Sequence, residues 1–368
     1  MNEHKRLAVI FGGRSGEHEV SLMSARSMLS VLEASDFEVT QIGVTPDGRW
    51  LGGEDVIGNF EKRQYQSLHP LALLPEPRQG QLFTVNKNKL SPFAVIDVVF
   101  PLIHGTFGED GSLQGLLELA DLAYVGGGVL ASAVCMDKSL FKDVMRANGI
   151  PVTDSLLVLR EEVQNNPDAA IKRIESAFAY PVFVKPANLG SSVGITRCTN
   201  HSSLVEGLLE AACYDRRVIV ERGVDARDLE VSVLGNENPI ASVPGEVQPQ
   251  EDFYSYTAKY VTNLSTLVIP AALDENISRE MSAMAIKAYQ AIDGAGLARV
   301  DFLLDRKSGK FYVGEINTIP GFTSISMYAK LWQAAGISYN QLIERLVQFA
   351  FDRKGARDHT VRVFRSEG

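Results

Sequence analysis

The stretch "FYVGEINTIPGF", residues 311–322, decides how this chain is read. An apolar run suited to a buried strand ends in Glu315 and Asn317, then stops at Pro320 and Gly321. Side chains two apart on a strand share a face, so this carboxylate and amide point together. A carboxylate buried there requires a partner. The segment just upstream, "LARVDFLLDRKSGK" (297–310), is a second apolar run followed by "RKSG", whose Gly309 can supply the positive φ of a hairpin turn. A hairpin symmetric about Ser308 sets Asp301 opposite Glu315, and a bulge at Gly309 would shift that by one residue. Asp301, Glu315 and Asn317 then form an all-oxygen cluster, which suits Mg²⁺ or Mn²⁺ shared with substrate phosphates. Two strand-end acids facing solvent are the plainer alternative. The third oxygen ligand and the apolar surroundings favour the metal.

The chain around this hairpin has 368 residues, enough for two or three domains with cores of their own. Its net charge of -9 argues against a general nucleic-acid binder. Cys135, Cys198 and Cys213 lack metal-ligand spacing and suggest buried roles in a reducing compartment. The apolar run in "MNEHKRLAVIFGG" is too short for a signal-peptide core, and no later run approaches the span of a bilayer. A cytoplasmic protein with no membrane or nucleic-acid partner is expected.

"RLAVIFGGRSGEHEVSLMSARSMLSVLEAS" (6–35) reads as a buried strand, a glycine turn and an amphipathic helix. Further strands in "FEVTQIGV", "AVIDVVFPLI" and "LAYVGG", with a helix in "GSLQGLLELA", predict a parallel sheet with helices on its faces. The Pro-, Gln- and Asn-rich stretch from about Gly53 to Pro92 reads as a long irregular connection. From "MDKSLFKDVMRANGIPV" onward, helices alternate with paired strands: "YPVFVKP" with "VGITRC", then "RVIVERG" with "LEVSVLG". Short turns inside these pairs predict antiparallel pairing. The expected domains are 1–136, 137–223 and 224–368, with a lid at about 245–262.

Three segments suit phosphates or a nucleotide. "VFVKPANLGSSVGI" places Lys185 at a strand end before a loop of small residues, whose backbone N–H groups can approach phosphate oxygens. It is not the P-loop pattern, because the lysine precedes the glycines, and a Gly-Ser turn with a snorkelling lysine is the alternative. Lys138 lies near a helix start, where its charge opposes the dipole unless an anion is near. "VIVERGVDARDLEVSV" can present an adenine-reading backbone after Glu221, with Glu230 on ribose hydroxyls, or can simply be a polar hairpin.

Metal triad, lysine-before-glycines loop and strand–hinge–strand segment, in this order, resemble the ATP-grasp superfamily. The nearest resemblance is to the D-alanine–D-alanine ligase family. It rests on "FGGRSGEHEVSLMSA", "HGTFGEDGSLQG", "MDKSLFK", "VKPANLGSSVG", "DFYSYTAKY", "LARVDF" and "GEINTIPGFTSIS". Gly16 stands where most relatives have alanine, and Arg222 where many carry lysine.

The resemblance implies an α/β ATP-grasp fold, with an N-terminal parallel-sheet domain and two α+β domains sandwiching ATP. The implied reaction is ATP-dependent ligation of two D-alanines through an acyl phosphate, for peptidoglycan precursors, by a homodimer using two Mg²⁺ or Mn²⁺ ions. Asp301, Glu315 and Asn317 would hold metal. Lys138, Lys185, Ser192, Glu221, Arg222, Val224, Glu230, Phe253 and Lys259 would hold the nucleotide. Glu17, His104, Tyr254, Arg299, Ser326 and Met327 would hold the amino acids, with Ser191 and Tyr260 linking Glu17 to a closing lid.

Three rivals are weighed against this. In a dinucleotide-binding dehydrogenase, Phe11 would occupy the first glycine position of G-x-G-x-x-G, and the C-terminal triad would go unexplained. A non-catalytic nucleotide binder of the same fold is disfavoured by the full set of charged groups. A depsipeptide ligase joining D-alanine to D-lactate is the nearest rival, and its relatives differ mainly in the lid.

Overall fold

The computed structural model describes residues 5–77, 80–190, 193–249 and 265–361. Strand β1 (Arg6–Gly12), whose Leu7–Phe11 run is buried, runs parallel to β2 (Glu38–Val44) and to β7 (Val98–Pro101), and β7 runs parallel to β8 (Ala123–Tyr124). Helices α1 (His18–Leu32) and α3 (Ser112–Leu119) lie between these strands in sequence, as the alternation predicts. The stretch from Gly53 to Pro92 is not an irregular connection. It holds helix α2 (Val56–Glu61), β4 (His69–Leu73), β5 (Gln81–Asn86) and most of β6 (Lys89–Val95). With β3 (Trp50–Gly52), these strands extend the sheet antiparallel in the order β6-β5-β4-β3-β2-β1-β7-β8. Pro92 faces Phe83 beside a register shift on the outermost strand, a place that tolerates a residue without an N–H, so the polar composition of β6 marks a sheet edge.

Helices α4 (Val129–Met136) and α5 (Lys138–Ala147) lead into a four-stranded antiparallel sheet. Its strands are β9 (Ser155–Leu159), β10 (Val182–Pro186), β11 (Thr196–Cys198) and β12 (Arg217–Arg222), in the order β11-β10-β12-β9. Helices α6 (Arg160–Asn165), α7 (Pro167–Ala177) and α8 (His201–Tyr214) supply its core through Val163, Ile171, Ile174, Leu204 and Leu208.

The third sheet runs β16 (Ser265–Val268), β15 (Gly245–Pro249), β13 (Ala226–Leu234), β17 (Leu297–Asp305) and β18 (Phe311–Asn317), with β14 (Ile240–Ala241) on β13. The expected pairing of "RVIVERG" with "LEVSVLG" does not occur: β12 lies in the second sheet and β13 in the third. Between them the Gly223 N–H donates to Pro181 O at 3.0 Å, and a Cβ there would come 2.5 Å from that oxygen. The turn is therefore pinned to the second sheet while the chain passes to the third. The first part of the expected lid, 245–249, is strand, because Val247 is buried and Arg227 clasps Glu246 at 2.7 and 2.8 Å. The rest of that lid, with Phe253, Tyr254, Lys259 and Tyr260, lies outside the described residues, as do Ser191 and Ser192.

The packing joins the ends of the chain. Helices α10 (Met327–Ala334) and α11 (Tyr339–Asp358) contribute Tyr328, Trp332, Leu342, Leu346 and Val347 to one core with Leu7, Val9, Phe11 and Val98 of the first sheet. Helix α9 (Glu275–Ala291) packs with α4 and α5 on the third sheet through Met281, Ala285, Phe141 and Met145.

Candidate active site

Strand pairing answers the question posed by Glu315. Asp301 is its direct partner across β17 and β18, and Arg299 faces Asn317. The pairs nearer the turn, from Leu304–Phe311 to Phe302–Val313, are offset by one residue from symmetry about Ser308, and a register shift between Asp301 and Phe302 brings Asp301 opposite Glu315. Glu230 pairs with Asp301 from β13, completing a row of three carboxylates across adjacent strands. Arg299 sits in the neighbouring row, with Nε 2.7 Å from Asp301 Oδ1 and 3.0 Å from Glu230 Oε2. Glu230, expected on ribose hydroxyls, thus lies beside Arg299 in the acidic row.

Three carboxylates meeting a guanidinium form a site for added positive charge, and the donors are all oxygen, as a hard divalent cation requires. As drawn, Arg299 engages both Asp301 oxygens at 2.7 Å, and Asn317 Nδ2 donates to Oδ2 at 3.0 Å. Among the described residues no group of three His, Cys, Asp or Glu is arranged to hold a metal. The donor set, all oxygen, fits a divalent ion.

Glu230 and Glu315 of this row open into a cleft of about 700 Å³, within the range of small-molecule sites, whereas Asp301, Lys185, Glu221, Arg222 and Val224 are not among the residues that line it. Glu17, His104, Lys138, Glu230, Arg299, Glu315, Asn317, Ser326 and Met327 all line it. Glu17 precedes α1, which is set by a relay: the Gly12 N–H donates to Ser21 Oγ at 2.7 Å, and that hydroxyl donates to Leu102 O at 2.6 Å. Glycines from two domains crowd the Glu17 carboxylate, since a Cβ on Gly105 would come 2.6 Å, and on Gly190 2.8 Å, from Oε2. Any side chain there would displace the carboxylate. Ser326 stands at the N-cap of α10, and the Thr323 N–H donates to its Oγ at 3.1 Å. A helix N-terminus favours an anion such as a substrate carboxylate.

His104 is committed to the protein. Its Nδ1 donates to Ile319 O at 2.9 Å, a contact that fixes the tautomer, and Nε2, 3.0 Å from Ser24 Oγ, accepts from that hydroxyl. Burial lowers its pKa, so the ring is neutral. Glu109, which the sequence reading missed, holds the N–H of the same residue. The Ile319 N–H donates to Oε1 at 2.8 Å, and the Gly105 N–H donates to Oε2 at 2.7 Å. Burial first, then the nearby Glu17, pushes the Glu109 carboxyl up to about 8 against these two donors. The Phe322 N–H donates to Ser24 Oγ at 3.2 Å and the Ser324 N–H to Ser27 Oγ at 3.1 Å. The loop carrying Ser326 is thus registered on the N-terminal domain at several points.

The nucleotide candidates lie on the central sheet. Asp137 caps α5 by accepting from Ser139 and Leu140 N–H groups, and Lys138 Nζ donates to Leu189 O at 2.6 Å. Lys185 meets Glu221 at 3.2 Å. Lys142, a second residue absent from the sequence reading, is 1% exposed and lies 3.4 Å from Glu221. Burial raises the Glu221 carboxyl, but Lys142 and then Lys185 outweigh it and bring it down to about 2. Arg222 reaches Asp154 at 3.4 Å and lies over the Tyr312 ring, while Val224 is half-buried in the crossing between sheets.

Two α+β units meeting over a cleft of lysines and strand-end carboxylates, beside a parallel-sheet domain, define an ATP-grasp enzyme. Residues 6–127 match the family profile "D-ala D-ala ligase N-terminus" and residues 144–348 match "D-ala D-ala ligase C-terminus". The chain belongs to the D-alanine–D-alanine ligase family. It is 47% identical over 351 residues to a D-alanine–D-alanine ligase of Thermoanaerobacter sp. (strain X514), covering 95% of this chain and 97% of that one. It is 48% identical over 347 residues to one of Heliobacterium modesticaldum, covering 94% of each. The solved D-alanine–D-alanine ligase of Coxiella burnetii superposes with TM-score 0.82 at 33% identity, over 97% of this chain and 96% of that one. The VanG D-Ala:D-Ser ligase of Enterococcus faecalis gives TM-score 0.84 at 32% identity, over 95% of this chain and 100% of that one.

Proposed function

We propose that this chain joins two D-alanines to D-alanyl-D-alanine, converting ATP to ADP and phosphate, for peptidoglycan precursors. The observation that carries the reading is the cleft itself, where Glu17, Arg299, the acidic row and the N-terminus of α10 converge. A carboxylate oxygen of the first D-alanine attacks the γ-phosphorus, ADP leaves, and an acyl phosphate remains. The amine of the second D-alanine, having lost its proton, attacks the acyl carbon, and phosphate departs as the peptide bond forms. Phosphoryl transfer of this kind needs positioning and charge neutralisation more than covalent help from the enzyme.

Each wall of the cleft has a part. Glu17 takes the ammonium of the first D-alanine, positioned by Gly105, Gly190 and the His104–Ile319–Glu109 tie. Arg299 faces the oxyanion and the transferring phosphoryl group. Ser326 Oγ and the Met327 N–H receive the second carboxylate. Lys138 and Lys185 meet the α- and β-phosphates, with Glu221, Arg222 and Val224 toward the base. Ser191, Ser192, Phe253, Tyr254, Lys259 and Tyr260 complete the closure in this proposal. Asp301, Glu315 and Asn317 would hold Mg²⁺ or Mn²⁺, whose charge neutralises phosphate oxygens when bound. A homodimer in a reducing, cytoplasmic setting, consistent with the three free cysteines, belongs to the same proposal. No described helix is long and apolar enough to cross a membrane.

The depsipeptide alternative is not favoured, because the relatives at 47–48% identity bear the dipeptide ligase name. The test is phosphate release with product identification across D-alanine, D-serine and D-lactate as second substrate. D-alanine alone, with ATP and Mg²⁺, is expected to give dipeptide and phosphate. Faster turnover with D-lactate or D-serine would overturn the substrate assignment.

A further inference from the structure

We propose that Lys142 is the standing counter-ion of Glu221, and that its charge releases Lys185 to meet the nucleotide phosphates. This deepens the reading above and rests on it, since it takes Lys185 as a phosphate ligand. Glu221 is 5% exposed and its carboxylate is held from three sides. Lys142 Nζ is 3.4 Å from Oε1, Lys185 Nζ is 3.2 Å from Oε2, and the Thr153 hydroxyl donates to Oε2 at 3.2 Å. Lys142 Nζ also donates to Thr153 Oγ1 at 2.7 Å, so that hydroxyl relays its charge to the same carboxylate.

The two lysines are not equivalent. The Lys142 side chain is 1% exposed and cannot reach a ligand, whereas that of Lys185 is 22% exposed at the end of β10. If Lys185 were the only cation on Glu221, turning it toward phosphate would strand a buried, unpaired carboxylate, which is strongly unfavourable. With Lys142 in place the carboxylate keeps a partner through the exchange. Two ammonium groups on one buried carboxylate also leave an excess positive charge. Burial holds the Lys142 ammonium below its ordinary pKa despite the pull of Glu221. An arriving anion that draws Lys185 outward relieves that excess. Lys142 is therefore a positioning residue, acting on the nucleotide through Glu221 and Lys185 without touching it.

A double-mutant cycle read by calorimetric ADP binding with Mg²⁺ tests this. Lys142→Met is expected to weaken ADP binding about thirtyfold or more, as for one partner removed from a buried pair, with the D-alanine KM unchanged. In a Glu221→Gln background the same change should have no further effect, because no carboxylate then holds Lys185 back. Equal losses in both backgrounds would reduce Lys142 to a packing role and overturn the proposal. So would wild-type ADP affinity in Lys142→Met. Lys142→Gln keeps a donor to Thr153 without the charge and serves if the methionine variant melts early. Lys185→Met separates the two layers: unchanged ADP affinity there would overturn the nucleotide reading itself, whatever Lys142 does.

Discussion

On the side of the cleft proposed for the amino acids, the Ile319 backbone is gripped at both its N–H and its carbonyl by Glu109 and His104. On the central sheet, where the nucleotide is proposed to bind, the Glu221 carboxylate is shared between two ammonium groups and a hydroxyl. The first wall is tied by short, directional bonds to backbone, which cannot be exchanged without leaving a buried polar group unsatisfied. The second is tied by ion pairs on long side chains, which can re-pair when a charged ligand arrives. Small substrates with few handles need a wall already in place. A triphosphate brings enough charge to rearrange the wall that receives it. The cores follow the same division, since Phe322, Trp332 and Leu346 join one core with the N-terminal sheet, whereas the central sheet has a core of its own.

The largest effect is expected where the two walls meet. Glu315→Gln removes one carboxylate from the acidic row, and turnover should fall about a thousandfold, the upper range for loss of a preorganised electrostatic group. Circular dichroism should show the fold intact, and near-wild-type turnover would disconnect the row from the chemistry.

A smaller effect is expected from Glu109→Gln, which strikes the fixed wall alone. The amide turns an N–H₂ toward one of the two backbone donors, at a cost of about 1–3 kcal/mol, or about tenfold in the D-alanine KM. ADP affinity should not change. Because the folded Glu109 carboxyl is raised to about 8 from 4.5, the native state holds a proton that the unfolded state has lost between those values. Stability therefore falls as pH rises through that window, and Glu109→Gln should flatten the fall in thermal melts at pH 5, 6, 7 and 8. A wild-type slope in the variant would remove Glu109 as its source.

The smallest effect tests whether the cores are separate. Asn200 caps α8 by accepting the Ser203 N–H at 3.0 Å, and Asn200→Ala should destabilise the central domain by about 1 kcal/mol. Hydrogen exchange should quicken in the central sheet while protection of α11 and the D-alanine KM stay unchanged. Matching losses in both places would mean the halves unfold as one.

The facing of Asp301 and Glu315 was legible because the turn lies between them in sequence, but it is reached through a register shift beside Phe302 that turn symmetry does not contain. Glu230 was not placed in that row, because its pairing with Asp301 comes from a strand far away in sequence. Glu109, in "GEDG", reads as an exposed turn acid, and only the fold brings Ile319 to it. Lys142 is one helical turn from Lys138 and looks like a solvated lysine until Thr153 and Glu221 close over it. Of the strands between Gly53 and Pro92, β6 was missed because an edge position tolerates the Pro and polar residues that otherwise mark loops. Strands β4 and β5 are interior but bury only Leu71 and Leu82, and so lack a long apolar run. Parallel alternation in the first domain was visible from the buried runs alone.

Helix α11 covers an apolar face made by β7 and β8 and meets Leu7 and Val9 in one cluster. On the ribosome the helix that shields those strands is made only after the whole central sheet that separates them in sequence. The N-terminal sheet must wait with its oily side open, so a stalled or prematurely terminated chain is left sticky and prone to clump.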